Sequence, residues 1–278
     1  MIKKILILIF KFTQKTLIKI FKKIGYELNL NIRQIPKMNG INLNIGAGSY
    51  TIPGFKSLDF YSDHYYKNKS AFSTRLNYNI RENKIPYLDN SVDNIYISHV
   101  IEHIEDKYIE NFLQEAYRVL KPKAVLRVVC PDGKFLFEVS QFKNEYWSWR
   151  RKTFNNNMYN TDWNDINRYD FLIRETSTPR CRFYKNKINK EILNLNEVES
   201  LSYDQFKKVM KKNLIYREEI PNDHINIWDF NELKELSEKV GFSHVINSKN
   251  LGSVSEIMQQ PYFDKTAPQA SLYVDMIK

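Results

Sequence analysis

The chain has 278 residues, 42% hydrophobic and 27% charged, enough for one large domain or two small ones around a real core and unlike a disordered tail or a multi-span membrane protein. Its two cysteines, Cys130 and Cys181, exclude a disulfide framework and a cysteine-only zinc ribbon, and fit a reducing, cytoplasmic setting. The net charge of +10 is uneven, with +8 in residues 1–38 and +2 in the other 240, so the body offers little to nucleic acid.

Residues 1–38 begin with an apolar run, Ile5–Phe10, flanked by lysines. It is far short of the roughly 20 residues of a spanning helix, and no small-residue cleavage site follows. Leu6, Phe10, Leu17, Phe21 and Ile24 recur at near-helical spacing with lysines between them. A basic amphipathic helix over residues 1–24 is expected, stopping at Gly25. It can lie on an anionic membrane or dock on its own protein with the lysines outward, and periodicity fits both.

Residues 41–45 read as a short strand that runs straight into Gly46-Ala47-Gly48-Ser49. Glycine lets the backbone turn sharply and approach a ligand. Thr51 stands where the dinucleotide fingerprint has its third glycine, which disfavours a nicotinamide enzyme. A second strand over 55–60 carries Asp59 near its tip, where an acid can accept hydrogen bonds from ribose hydroxyls. Residues 91–98 read as a buried strand. Ile109, Phe112, Leu113, Ala116, Tyr117 and Leu120 mark one face of a helix, with Pro122 just beyond it, and 123–130 is the next strand. This order is that of an open, parallel α/β sheet.

Six stretches carry a family resemblance: LNIGAG (43–48), SLDF (57–60), IPYLDNSVDNIYISHVIEHI (85–104), RVLKPKAVLRVVCPD (118–132), HINIWDFNELKELSEKVGF (224–242) and ASLYVDMIK (270–278). As an ordered set they resemble class I S-adenosylmethionine-dependent methyltransferases, and the branch of bacterial surface-glycan pathways in particular. The resemblance implies a Rossmann-like, doubly wound, seven-stranded, mostly parallel sheet with an antiparallel last strand. It implies S-adenosylmethionine beside Gly46, Ala47 and Gly48, with Asp59 on the ribose, Asn79 near the adenine and Ser98 beside the methyl-transfer pocket. Asn44 and Asn79 stand where many relatives have acids, and an asparagine still supplies a carbonyl acceptor.

His99-Val100-Ile101-Glu102-His103 matches the H-x-x-E-H pattern of some zinc peptidases. The segment begins at a strand tip and only three other histidines exist, so that reading is disfavoured. A metal-assisted transfer using Glu102 and His103 stays open, and the expectation is no metal. For a hydroxyl acceptor, His99 suits the general base; alternatively His99 and His103 only tie the loop together. Asp132 can orient an acceptor or cap a helix. His224 can reach the pocket or be structural. Cys130 reads as a buried strand residue.

Residues 141–223 are expected to form an insertion between the two methyltransferase segments, 39–140 and 224–278. Residues 135–171 hold eleven aromatics, about twice the chain's average density, with Arg150, Arg151, Lys152 and Arg168 among them. Rings and cations together can bind sugars and their acidic groups, or the rings can form a core of their own. Residues 185–212 read as helical and solvated. The function expected is methyl transfer to a hydroxyl of a sugar or glycan precursor at the cytoplasmic membrane face. The alternatives are a nucleic-acid methyltransferase, or a non-catalytic membrane module with a degenerate cofactor site.

Overall fold

The computed structural model describes residues 39–61, 75–82, 84–142, 144–151, 165–182 and 195–278. The expected N-terminal helix, Lys152, Trp163 and the start of the solvated 185–212 stretch lie outside these residues.

Strand β1 (Asn42–Ile45) is buried along its whole length. Leu43 and Ile45 enter the main core. Asn42 sits on the opposite side chain alternation, where its Oδ1 accepts from Asn94 Nδ2 at 2.8 Å, and Asn94 in turn accepts from Ser255 at 2.8 Å. These bonds satisfy the Asn42 oxygen and both polar atoms of Asn94, while the buried Asn42 Nδ2 meets no partner among the described residues. Strands β2 (Lys56–Asp59) and β3 (Leu76–Asn77) extend the sheet to one side; β4 (Val92–Ser98) and β5 (Leu120–Pro131) extend it to the other. The order is β3-β2-β1-β4-β5-β7-β6, with β6 (His244–Asn247) at the far edge. Strand β7 (Ser271–Ile277) runs antiparallel to both β5 and β6, and the other pairings are parallel.

Helix α1 (Asp106–Val119) buries Ile109, Phe112, Leu113, Ala116 and Val119, the face that the periodicity marks. The sequence predicts a stop near Pro122 and a strand from Lys123. Instead the helix ends at Val119 and β5 starts at once. Val92 pairs with Leu120 but Asn94 with Val125, so extra residues bulge out, with Lys123 in the left-handed region at φ 67°.

The insertion has its own apolar cluster. Helices α2 (Gly133–Phe142), α3 (Arg168–Thr176), α4 (Leu195–Ser200) and α5 (Tyr203–Lys211) supply Phe137, Tyr169, Phe171, Val198 and Phe206 around Trp147. Trp147 and Phe171 stack with centroids 5.6 Å apart. These rings therefore pack as a core; they do not line a surface. The chain then returns through 224–228 into α6 (Phe230–Val240), capped by Asp229 and ended by Gly241 at φ 117°. Among the described residues no helix is long and apolar enough to cross a membrane.

Composition does not announce the buried cation at Arg127. Its guanidinium is fully enclosed, donating to Asp264 at 2.7 Å and to Asp275 at 2.8 Å. It joins β5 to β7 and to the loop before β7. Arg127→Leu would leave two buried carboxylates without their cation, and stability is expected to fall by about 3–5 kcal/mol. Urea unfolding checks this; a loss under about 1 kcal/mol would show that water reaches the acids.

Candidate active site

The carboxyl ends of β1, β2 and β4 open onto a cavity of about 190 Å³. Gly46 turns the chain off β1 at φ 66°, and a Cβ there would come within 2.2 Å of Val100. Gly48 follows at φ 53°, and a Cβ there would meet nothing within 4 Å. The first glycine is demanded by packing. The second leaves open space, as a close ligand approach requires.

Asp59, at the tip of β2, faces the same slot. Its Oδ2 accepts from the Gly48 N–H at 2.6 Å and its Oδ1 from the Phe60 N–H at 2.8 Å. Glycine bend and carboxylate therefore share one cavity, as the sequence reading required. Burial pushes the Asp59 carboxyl above its ordinary range, against the pull of the two N–H donors. Each oxygen keeps a lone-pair site for a ribose hydroxyl. Asn79 lines the slot as well, its Oδ1 accepting from the Arg81 N–H at 3.0 Å. Ala47 is buried and contributes backbone only, its N–H directed at the Leu58 carbonyl. Ser98 and Ala47 are not among the residues that line the slot; His99 is.

The far wall holds residues that sequence reasoning missed. Arg81 lies over the Tyr216 ring at 3.5 Å, donates to Glu105 at 2.8 Å and to the His103 carbonyl at 2.7 Å. Tyr216 and Pro221 come from the end of the insertion. No motif marks them, because the contact spans about half the chain.

A second cavity, of about 570 Å³, lies against the insertion. Trp149, Arg150, Arg174, Glu175, His224 and the 266–269 loop form its walls, and it shares His99 with the first. The Arg150 and Arg174 guanidiniums both pair with the buried Glu175 carboxylate. The buried Trp149 Nε1–H meets no acceptor among the described residues.

His99 stands between the cavities in a left-handed conformation, φ 54°, which is uncommon for a non-glycine residue and marks a held position. Its N–H donates to the Val129 carbonyl at 2.8 Å. Nδ1 lies 3.0 Å from Glu102 Oε1; Nε2 lies 3.0 Å from Ser271 Oγ and 3.2 Å from the Thr266 carbonyl. Burial draws the His99 pKa down, but the Glu102 contact outweighs it and leaves it raised. Burial opposes charge on Glu102, yet the adjoining His99 holds that carboxyl down at about 2.

His224 also lines the second cavity. Burial and the neighbouring His103 lower its pKa to about 4, so the ring is neutral near pH 7. Asp132 is placed elsewhere. It caps α2, accepting from the Phe135 N–H at 3.0 Å, and lines neither cavity. Of the three residues expected to be catalytic, His99 and His224 come together and Asp132 acts as the helix cap. Cys130 is fully buried, as read from its strand.

Residues 63–128 match the family model of a methyltransferase domain. That segment therefore carries a methyltransferase domain, within the Rossmann-like, mostly parallel sheet described above. No curated protein matches the chain. Solved structures similar to it include a methyltransferase of Thermotoga maritima described as a possible histamine N-methyltransferase (16% identity, 86% of this chain and 83% of that one, TM-score 0.40). Others are a TehB-like methyltransferase of Corynebacterium glutamicum (12%, 96% and 96%, 0.40) and a methyltransferase of Archaeoglobus fulgidus (12%, 88% and 89%, 0.41). The open Gly48 and the buried Asp59 fit S-adenosylmethionine, the cofactor that the resemblance implies.

Asp59→Asn keeps the shape and removes the charge. Charge-assisted bonds contribute about 1.5–3 kcal/mol each, so S-adenosylmethionine affinity is expected to fall roughly 10- to 100-fold, measured by calorimetry. Wild-type affinity should also weaken as pH falls through the raised Asp59 pKa, because the ionised acceptor is lost on protonation. The weakening should begin at a higher pH than an exposed aspartate would give. Asp59→Asn should lose that dependence.

Proposed function

We propose that this methyltransferase transfers a methyl group to a hydroxyl of a sugar or glycan precursor at the cytoplasmic face of the membrane. One observation carries the reading: a single imidazole, backed by a buried carboxylate, separates the cofactor slot from a second cavity that can hold an acceptor. S-adenosylmethionine, held beside Gly48 and Asp59, would supply a sulfonium-bound methyl for in-line displacement by an acceptor oxygen, with the C–S bond pair returning to sulfur.

The chain's part is to position that oxygen and remove its proton. His99 Nε2 is the proposed proton acceptor, once the ring gives up the proton it directs at the Thr266 carbonyl 3.2 Å away. Its present neighbour Ser271 also lies 2.9 Å from the Ala267 carbonyl and 3.1 Å from the Thr266 carbonyl. Ser271 can therefore release the ring and keep a partner of its own. Nδ1 faces Glu102, which holds the ring's orientation and stabilises it when protonated. In the acceptor cavity, Trp149, its ring against Trp147 and beneath the Arg150 guanidinium, brings an indole N–H that meets no acceptor among the described residues and suits a sugar hydroxyl. The lysines of residues 1–24 suit an anionic surface.

Two measurements test the reading. Labelled methyl donor supplied with fractionated envelope glycans should label a glycan fraction, and label confined to protein or nucleic acid would defeat it. His99→Asn suits the left-handed backbone. It is expected to bind S-adenosylmethionine within about twofold of wild type and to lose roughly 10²–10⁴-fold in kcat. Parallel loss of binding and turnover would make His99 structural.

A further inference from the structure

We propose that Glu102, His103 and His224 form a site for one divalent transition-metal cation, in the wall between the two cavities. The idea departs from the expectation of no metal and holds whatever the acceptor is.

Three observations carry it. First, the three side chains each offer a ligand atom, and those atoms lie within 4.8 Å of one another. Bonds of about 2.0–2.2 Å to a shared ion require closure by less than about an ångström.

Second, both imidazoles are already set as ligands. His103 Nδ1 lies 2.9 Å from the Asp223 carbonyl, and His224 Nδ1 lies 2.6 Å from the Glu175 carbonyl. A carbonyl only accepts, so each Nδ1 carries a proton, and in the neutral ring Nε2 is then the nitrogen with a lone pair for a metal. Metal-bound histidines are oriented in this way.

Third, the Glu102 side chain is 2% exposed, and neither of its oxygens meets a well-aligned donor among the described residues. His99 Nδ1 approaches Oε1 at 3.0 Å off the line of a hydrogen bond, and His103 Nε2 stands 4.0 Å away. A buried carboxylate ringed by three imidazoles, only one of them within 3.0 Å, has room for a cation as a further partner. The cluster is also braced: the Glu102 carbonyl accepts from the Ile225 N–H at 2.9 Å and the Asn226 N–H at 3.0 Å, which ties residue 102 to the segment bearing His224.

Two nitrogens and one oxygen favour zinc, cobalt, iron or manganese over calcium or magnesium. Three protein ligands leave a position open. Because His103 lines the cofactor slot and His224 the acceptor cavity, that position can take an acceptor oxygen.

The test uses the whole chain, stripped with a chelator and titrated with Co²⁺, read by ligand-field absorption and by metal content. We expect one equivalent per chain, displaced by Zn²⁺. His103→Gln and His224→Gln should each weaken Co²⁺ binding roughly 10- to 100-fold. His224→Gln should keep S-adenosylmethionine affinity, which separates failure of the metal site from failure of the methyltransferase reading. Less than about a tenth of an equivalent on wild type, or equal binding by the variants, overturns the proposal. If the variants do not fold, X-ray absorption of the Zn²⁺-loaded wild type decides. Two imidazoles in the coordination shell support the site, and none overturns it.

Discussion

The Glu102 carboxylate lies at 1% exposure where the sheet meets the returning 224–228 segment, in a place where an isolated charge would cost several kcal/mol. Three histidines gather around it, and its own carbonyl binds two backbone N–H groups from that segment. The carboxylate fixes the His99 ring from one side. It sets the separation between the cofactor slot and the acceptor cavity, because both share that ring. Replacing it with an apolar residue would remove the charge, but it would also free the one side chain that touches both chambers.

Much of the candidate site's framework was legible in the sequence because it is local. The turn after β1 needs glycine at 46 for a reason confined to one contact with Val100. Asp59 sits on the adjacent strand, and parallel register brings Leu58 beside Ile45 without further information. Helix α1 showed its buried face through periodicity alone. The first junction misread was helix to strand at 119–120, where a left-handed lysine and a bulge absorb residues that the sequence assigned to a loop.

What stayed hidden depends on long separations. His103 and His224 stack edge to face at 4.9 Å although 120 residues lie between them in the chain. Arg127 looks like an outward strand residue until Asp264 and Asp275 close on it from beyond the insertion. Asp132 had two open readings, and only the position of the Phe135 N–H chooses the cap. The aromatics of the insertion divide in the same way: Trp147 and Phe171 fill a core, whereas Trp149 packs against that core, lines a cavity and has an N–H that meets no acceptor among the described residues.

The two chambers meet at His99 but have separate walls, one of strand tips and the other largely of insertion residues. In the proposed reading, donor and acceptor occupy the protein together and the methyl group passes directly between them. The sole cysteine on the sheet, Cys130, is sealed inside and its thiol is held protonated by burial, so it offers no relay station. Kinetics for such an arrangement follow a sequential pattern, with intersecting double-reciprocal lines instead of the parallel ones of a two-stage shuttle.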